Sequence, residues 1–122
     1  MAARLTRRYW LLGKPGIIRL VAILAENGPM PLHHIPRYGM GVGTTYRSAR
    51  EAAMLGLVEL YYCGTSKCVK LTSRGARLGE QLVQTLHVLE ELGLAEPLPS
   101  NGSAGTQLPQ NTSKDRKPLE EG

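Results

Sequence analysis

No stretch of the 122-residue chain is apolar over the ~18 to 20 residues that a bilayer crossing needs, so no membrane partner is expected. The opening MAARLTRRYWLLGKPG carries arginines but no apolar core long enough for a secretory signal, and a cytoplasmic location is the expectation. Cysteine is scarce: Cys63 and Cys68 are too few for a secreted disulfide scaffold. Acidic residues are nearly missing from the first part of the chain. From Met1 to Arg77 there are 12 Lys or Arg against Glu26, Glu51 and Glu59, a net of +9. Those three carboxylates fall singly on different elements, no carboxylate pair lies near a histidine, and no glycine-rich phosphate loop of Walker type occurs. Ser48 and Ser73 have helix and cap explanations. Neither an enzyme nor a cofactor is expected.

What is present is a basic body followed by an acidic segment. From Leu78 to Glu96 the charged residues are Glu80, Glu90, Glu91 and Glu96, a net of −4. The remainder balances, Lys114, Arg116 and Lys117 against Asp115, Glu120 and Glu121. Such a separation points to a polyanionic partner for the body, with ordinary solubilising charge as the alternative. Residues 97–122 hold no apolar cluster and are rich in Pro, Gly, Ser, Asn and Gln, so a disordered tail is expected there. The expected organisation is a basic and aromatic extension over 1–14, a folded domain over 15–77, a further helix over 78–96 and the tail over 97–122.

Pro15 fits the first position of a helix, since its fixed φ is helical and its missing N–H would be unpaired anyway. Ile17, Ile18, Val21, Leu24 and Ala25 follow at helical spacing, and Asn27-Gly28 supplies the stop. Tyr9, Trp10, Leu11 and Leu12, ahead of it, are too apolar for a loose arm. Leu32, His33, His34, Ile35 and Tyr38 predict a short second helix closed by Gly39, brief or distorted because Pro36 cannot donate a backbone bond. Thr44 is the expected N-cap of a third helix over 44–55. Beyond Gly56 the period changes: LVELYYC and CVKLT predict two strands joined by Gly64-Thr65-Ser66-Lys67. Thr72 or Ser73 then caps a last helix with apolar residues at Leu78, Leu82, Val83, Leu86, Leu89 and Leu92. Helix, short helix, helix, hairpin and long helix make a winged helix-turn-helix: mostly α, with a small β-hairpin and a long C-terminal helix. Ala49 and Ala52, one turn apart, let the third helix cross its neighbours closely.

Three stretches carry a resemblance to the winged-helix regulators of the MarR-like and PadR-like kind: TTYRSAREAAMLGLVEL as the recognition helix and its step into a strand, YYCGTSKCVKL as the wing, and LTSRG as the step from wing to helix. The resemblance covers about residues 15 to 92, with Ala49 and Ala52 standing where larger aliphatics are usual and Pro36 as a second departure. It implies double-stranded DNA as the partner. Thr44, Thr45, Tyr46, Arg47 and Arg50 would face the major groove, where Arg can bond guanine bidentately and Thr can touch a thymine methyl. Arg37 and Tyr38 would meet the DNA backbone, and Lys67 and Lys70 on the wing (61–70) would meet phosphate or the minor groove. Proteins of this resemblance usually dimerise through the terminal helix, which implies a homodimer on a two-fold site, against the alternative of a monomer with that apolar stripe buried within the chain.

The residues themselves leave three readings open for Cys63 and Cys68, expected to face each other across the hairpin: a disulfide, two idle thiols, or a zinc site with His33 and His34. The rival to DNA binding is a winged helix used as a protein-interaction module, which would place large apolar residues where Tyr46, Arg47 and Arg50 stand. RNA is a third option. No residue pattern specifies a small-molecule effector.

Overall fold

The computed structural model describes residues 7–96; the tail expected over 97–122 and the first six residues of the extension lie outside the described part. Residues 7–9 are helical, and a 3-10 turn, Trp10–Gly13, follows. Helix α1, Pro15–Asn27, starts at the expected proline and buries Ile17, Leu20, Val21 and Leu24 at the spacing of one helix face. It ends at Gly28, whose N–H bonds to the Leu24 carbonyl at 2.8 Å.

Strand β1, Met30–Pro31, was not anticipated. It pairs antiparallel with β3, Met30 opposite Val69 and Pro31 opposite Cys68. Leu32–Tyr38 is a 3-10 segment rather than an α-helix, in keeping with Pro36 inside it, and it buries Leu32 and Ile35. Helix α2, Val42–Met54, begins two residues before Thr44, with Gly41 at its N-cap and no side-chain cap, so Thr44 is not the cap. Its end is a Schellman turn: Gly56 at φ +77° lets the Leu57 N–H reach the Ala52 carbonyl and the Gly56 N–H reach that of Ala53.

Strands β2, Val58–Cys63, and β3, Ser66–Leu71, form the hairpin, and the sheet runs β1-β3-β2. Cys63 pairs with Ser66, so the connecting turn is the two residues Gly64 and Thr65, not the four of the sequence reading. Gly64 at φ +73° supplies the positive φ that such tight turns require. Helix α3, Ser73–Glu91, starts where a cap at Thr72 or Ser73 is expected. Thr72 caps it, its Oγ1 accepting from the Gly75 N–H at 3.1 Å and donating to the Gly56 carbonyl, which ties the start of α3 to the end of α2.

The core gathers Ile17, Leu20, Val21 and Leu24 of α1 with Leu32 and Ile35, Met40, Ala49 and Ala52 of α2, Leu57, and Met30, Val58 and Val69 of the sheet. Leu78 and Leu82 of α3 pack against it. Residues up to Val88 form one unit; a second, Leu89–Gly122, is described as far as Glu96. In that second unit the chain turns at Gly93, φ +76°, with the Leu94 N–H on the Leu89 carbonyl at 2.7 Å.

Candidate nucleic-acid interface

The 3-10 segment and α2 form the two limbs of a helix-turn-helix joined through Gly39, which takes φ +103°. Because α2 repeats every 3.6 residues, burying Thr45, Ser48, Ala49 and Ala52 turns Tyr46, Arg47 and Arg50 to the surface. Two of these buried residues are alanines and one is Ser48, so α1 can come very near: a Cβ added at Gly16 would meet the side chains of Ser48 and Thr44. Lys14 of the preceding loop holds Glu51 at 3.4 Å, partly neutralising the one carboxylate on α2.

One expected contact residue, Thr45, lies on the inward face of α2. Thr45 is 0% exposed, and its hydroxyl donates to the Gly41 carbonyl at 2.8 Å, so it stabilises the first turn of α2 and cannot face a groove. Thr44 is half-buried, while Tyr46, Arg47 and Arg50 are exposed, Tyr46 by 41%. Arg37 and Tyr38 are exposed on the 3-10 segment that leads into α2. On the same segment His33 and His34 stack edge to face at 4.6 Å, and partial burial, then the charges of Arg37 and His33, hold the His34 pKa below the usual imidazole value.

The hairpin separates its residues by the two-fold alternation of a strand. On the core face Val58 lies opposite Leu71, Leu60 opposite Val69, and, past the core, Tyr62 opposite Lys67. On the other face Glu59 lies opposite Lys70 and Tyr61 opposite Cys68. The Lys67 ammonium sits 5.9 Å from the Tyr62 ring and that of Lys70 5.2 Å from the Tyr61 ring. Lys70 also meets Glu59 at 3.8 Å, whereas Lys67 makes no ion pair among the described residues, leaving Lys67 the freer cation.

No protein-family model matches the chain, and no curated protein matches it by sequence. Solved structures do match by shape. A MarR family transcriptional regulator from Silicibacter pomeroyi superposes at TM-score 0.59 with 23% identity, over 84% of this chain and 76% of that one. A MarR family regulator from Neisseria meningitidis superposes at 0.58 with 16% identity, over 69% of this chain; the match spans 64% of that regulator's length. A Bordetella bronchiseptica protein whose DNA binding is regulated by 6-hydroxynicotinic acid gives 0.57 and 14% identity over 80% of this chain and 87% of that one. The chain has the MarR-like winged-helix fold.

Within the winged helix two further features lie outside the expected contact residues. Tyr62 is 72% exposed at the wing tip, where a tyrosine has no core to join. The signal was the strand alternation itself, which puts residue 62 on the face of Val58 and Leu60 but beyond their cover. Arg74 and Arg77 lie at the start of α3, and Arg74 donates to the Leu55 carbonyl at 3.1 Å, adding a cation to the C-terminal end of α2. The cysteines are not opposite one another: Cys68 pairs with Tyr61 and Cys63 with Ser66, so the two lie diagonally on one face. Their Cα atoms are 6.0 Å apart and their sulfurs are joined. Among the described residues no three His, Cys, Asp or Glu side chains converge on a metal position.

Proposed function

We propose that this protein is a sequence-specific, double-stranded DNA-binding transcriptional regulator acting as a homodimer. The observation that carries it is the division of α2, small buried residues inward and Tyr46, Arg47 and Arg50 outward. Helix-turn-helix proteins place the start of this helix in the major groove, where Arg47 and Arg50 would read base edges or phosphate and Thr44 would lie near the backbone. Arg37 would meet the DNA backbone, and Lys67, with Lys70 in a lesser role, would extend the contact on the wing. The regulators of the same fold support the reading.

Dimerisation would use the exposed apolar residues that follow α3, Leu92 and Leu94. The protein-module reading has its own support in Met54, 81% exposed at the end of α2, and in the exposed Tyr9, Trp10 and Leu12. These residues lie away from the middle of α2, so they favour a second surface rather than a different use of the helix face.

A salt titration of binding to random-sequence and genomic upstream duplexes separates the readings. Regulation by sequence predicts tighter binding to a subset of upstream duplexes together with a negative salt slope. A steep slope with no preference among duplexes would replace it with a chromatin-type role, and the absence of duplex binding would leave the protein-module reading.

A further inference from the structure

The third strand of the sheet stops where the disulfide begins. Met30 and Pro31 cover β3 only at Val69 and Cys68, so from Cys68 to the turn the sheet is two-stranded. The overhang contains Tyr62, Cys63, the turn, Ser66 and Lys67, held by the ladder of a two-stranded hairpin, which on its own is marginal in water. Cys68, 3% exposed, is the last residue fixed on both sides, and Cys63 is exposed on the overhang. The bond therefore runs diagonally from the anchored part of the sheet to its free tip. It also brackets one rung: Tyr62 adjoins Cys63, Lys67 adjoins Cys68, and these two neighbours are the pair that faces outward on the opposite side.

We propose that the oxidation state of Cys63 and Cys68 sets the grip of the wing on DNA, the disulfide form binding more tightly. This rests on the DNA-binding reading. With the bond closed, the Tyr62 ring and the Lys67 ammonium are held as one unit, an apolar plate beside a cation, suited to the sugar and phosphate of a DNA strand. With it open, the rung frays with the overhang, and binding must first order it, which lowers affinity. Only five positions separate the cysteines, so the loop entropy removed by the bond is small and its effect is local to the tip.

The interconversion is thiol–disulfide exchange with a dithiol reductant. A reductant thiolate attacks the exposed Cys63 sulfur; the S–S bond breaks, and Cys68 leaves with the electron pair and takes up a proton. The second reductant thiol, losing its proton, then attacks the mixed disulfide and releases Cys63 as a thiolate that is protonated in turn. Two electrons and two protons pass to the cysteines, and the reductant ends as a disulfide. Cys68 is 3% exposed, so a reductant reaches the bond from the Cys63 side. By linkage, DNA that favours the oxidised form must protect the bond by the same factor.

The test is the affinity of the full chain for a random-sequence duplex, oxidised and after dithiothreitol, for wild type, for the double variant Cys63→Ser/Cys68→Ser, and for the double variant Tyr62→Ala/Lys67→Ala. Oxidised wild type should bind roughly fivefold more tightly than reduced, a modest coupling by usual standards. The cysteine variant should match reduced wild type and ignore the reductant, and the Tyr62/Lys67 variant should bind weakly with the ratio near one. Equal affinity of both wild-type forms would overturn the proposal and leave DNA binding standing. So would a preserved ratio in the Tyr62/Lys67 variant, or loss of the helical circular dichroism on reduction, since the bond would then act through the whole fold. Failure of every form to bind duplex would refute the DNA reading and this proposal with it.

Discussion

Helix α2 buries Thr45, Ser48, Ala49 and Ala52 and turns Tyr46, Arg47 and Arg50 outward, whereas α3 buries Gly75 and Gly79 and leaves Val88 in the open. Both cross the body on small residues, but the clearances differ. At Gly75 an added Cβ would run into the Leu57 carbonyl, which is backbone; at Gly79 it would come 2.8 Å from the Ala25 Cβ. In α2 the alanines already fill the crossing, at 1% and 0% exposure. A close crossing thus fixes where an outer face points without deciding what that face carries. The cations of α2 suit a polyanion, and the apolar residues toward the end of α3 suit a second protein surface.

The crossing on α3 should be the easiest part of this contrast to break. Gly75→Ala is expected to cost about 3 kcal/mol or more, because neither backbone can move away cheaply, and Gly79→Ala about 1 to 3 kcal/mol, as overpacked sites typically do. Chemical denaturation measures both. On α2 the counterpart is Ala52→Leu, with a comparable cost of about 1 to 3 kcal/mol. If Gly75→Ala melted like wild type, the close approach of α3 to Leu57 would be wrong.

The outer face of α2 should respond in the opposite way, with function lost and stability kept. Arg47→Ala and Arg50→Ala are each expected to weaken duplex binding by about 1 to 3 kcal/mol while changing unfolding free energy by no more than ~0.5 kcal/mol. A stability loss above about 2 kcal/mol at either position would make that arginine part of the packing rather than the contact face. Lys67→Ala should reduce the salt slope of binding by about 1, the signature of one phosphate contact. The matching test of the segment after the last helix is Leu92→Asp together with Leu94→Asp, which should shift the protein from dimer to monomer in sedimentation. A wild-type monomer that still binds DNA would end the dimer reading.

These contrasts also explain what could be read from the sequence. The α1 core face and the inward alanines of α2 were legible because helical periodicity is local, and the 3-10 form of Leu32–Tyr38 was foreshadowed by Pro36. Strand β1 was not: two residues, one of them proline, carry no alternation, and their pairing with Val69 and Cys68 is set by a distant part of the chain. The hairpin turn was drawn two residues too long because Ser66 and Lys67 are polar, although they complete rungs with Cys63 and Tyr62. The hydroxyl of Thr45 fits a contact face or a helix turn, but Thr45 stands four residues before Ala49 and seven before Ala52, so the periodicity that turns the alanines inward buries it as well. The glycines of α3 had a visible signal, GARLG at a spacing of four, which in a helix marks a face as surely as two leucines would.

The smallest effect expected at the proposed DNA face concerns His34, on the segment preceding α2. Partial burial, then the charges of Arg37 and His33, lower its pKa from the usual 6.5, so folding favours the neutral ring. Above that value both folded and unfolded chains carry a neutral imidazole, and this residue contributes no pH dependence. As pH falls through 6.5 the unfolded chain takes up a proton that the folded one resists, so stability drops until the pH reaches the lowered folded value and then levels off. His34→Gln should remove that small acid-side decline, and Arg37→Ala should shrink it by removing one repelling charge. DNA phosphate brought to this face would favour the protonated ring instead, so duplex binding should take up protons, and strengthen modestly, as the pH falls below the usual imidazole value of 6.5. Calorimetry in two buffers of different ionisation enthalpy reads the uptake directly, and proton release on binding would place His34 away from the phosphates.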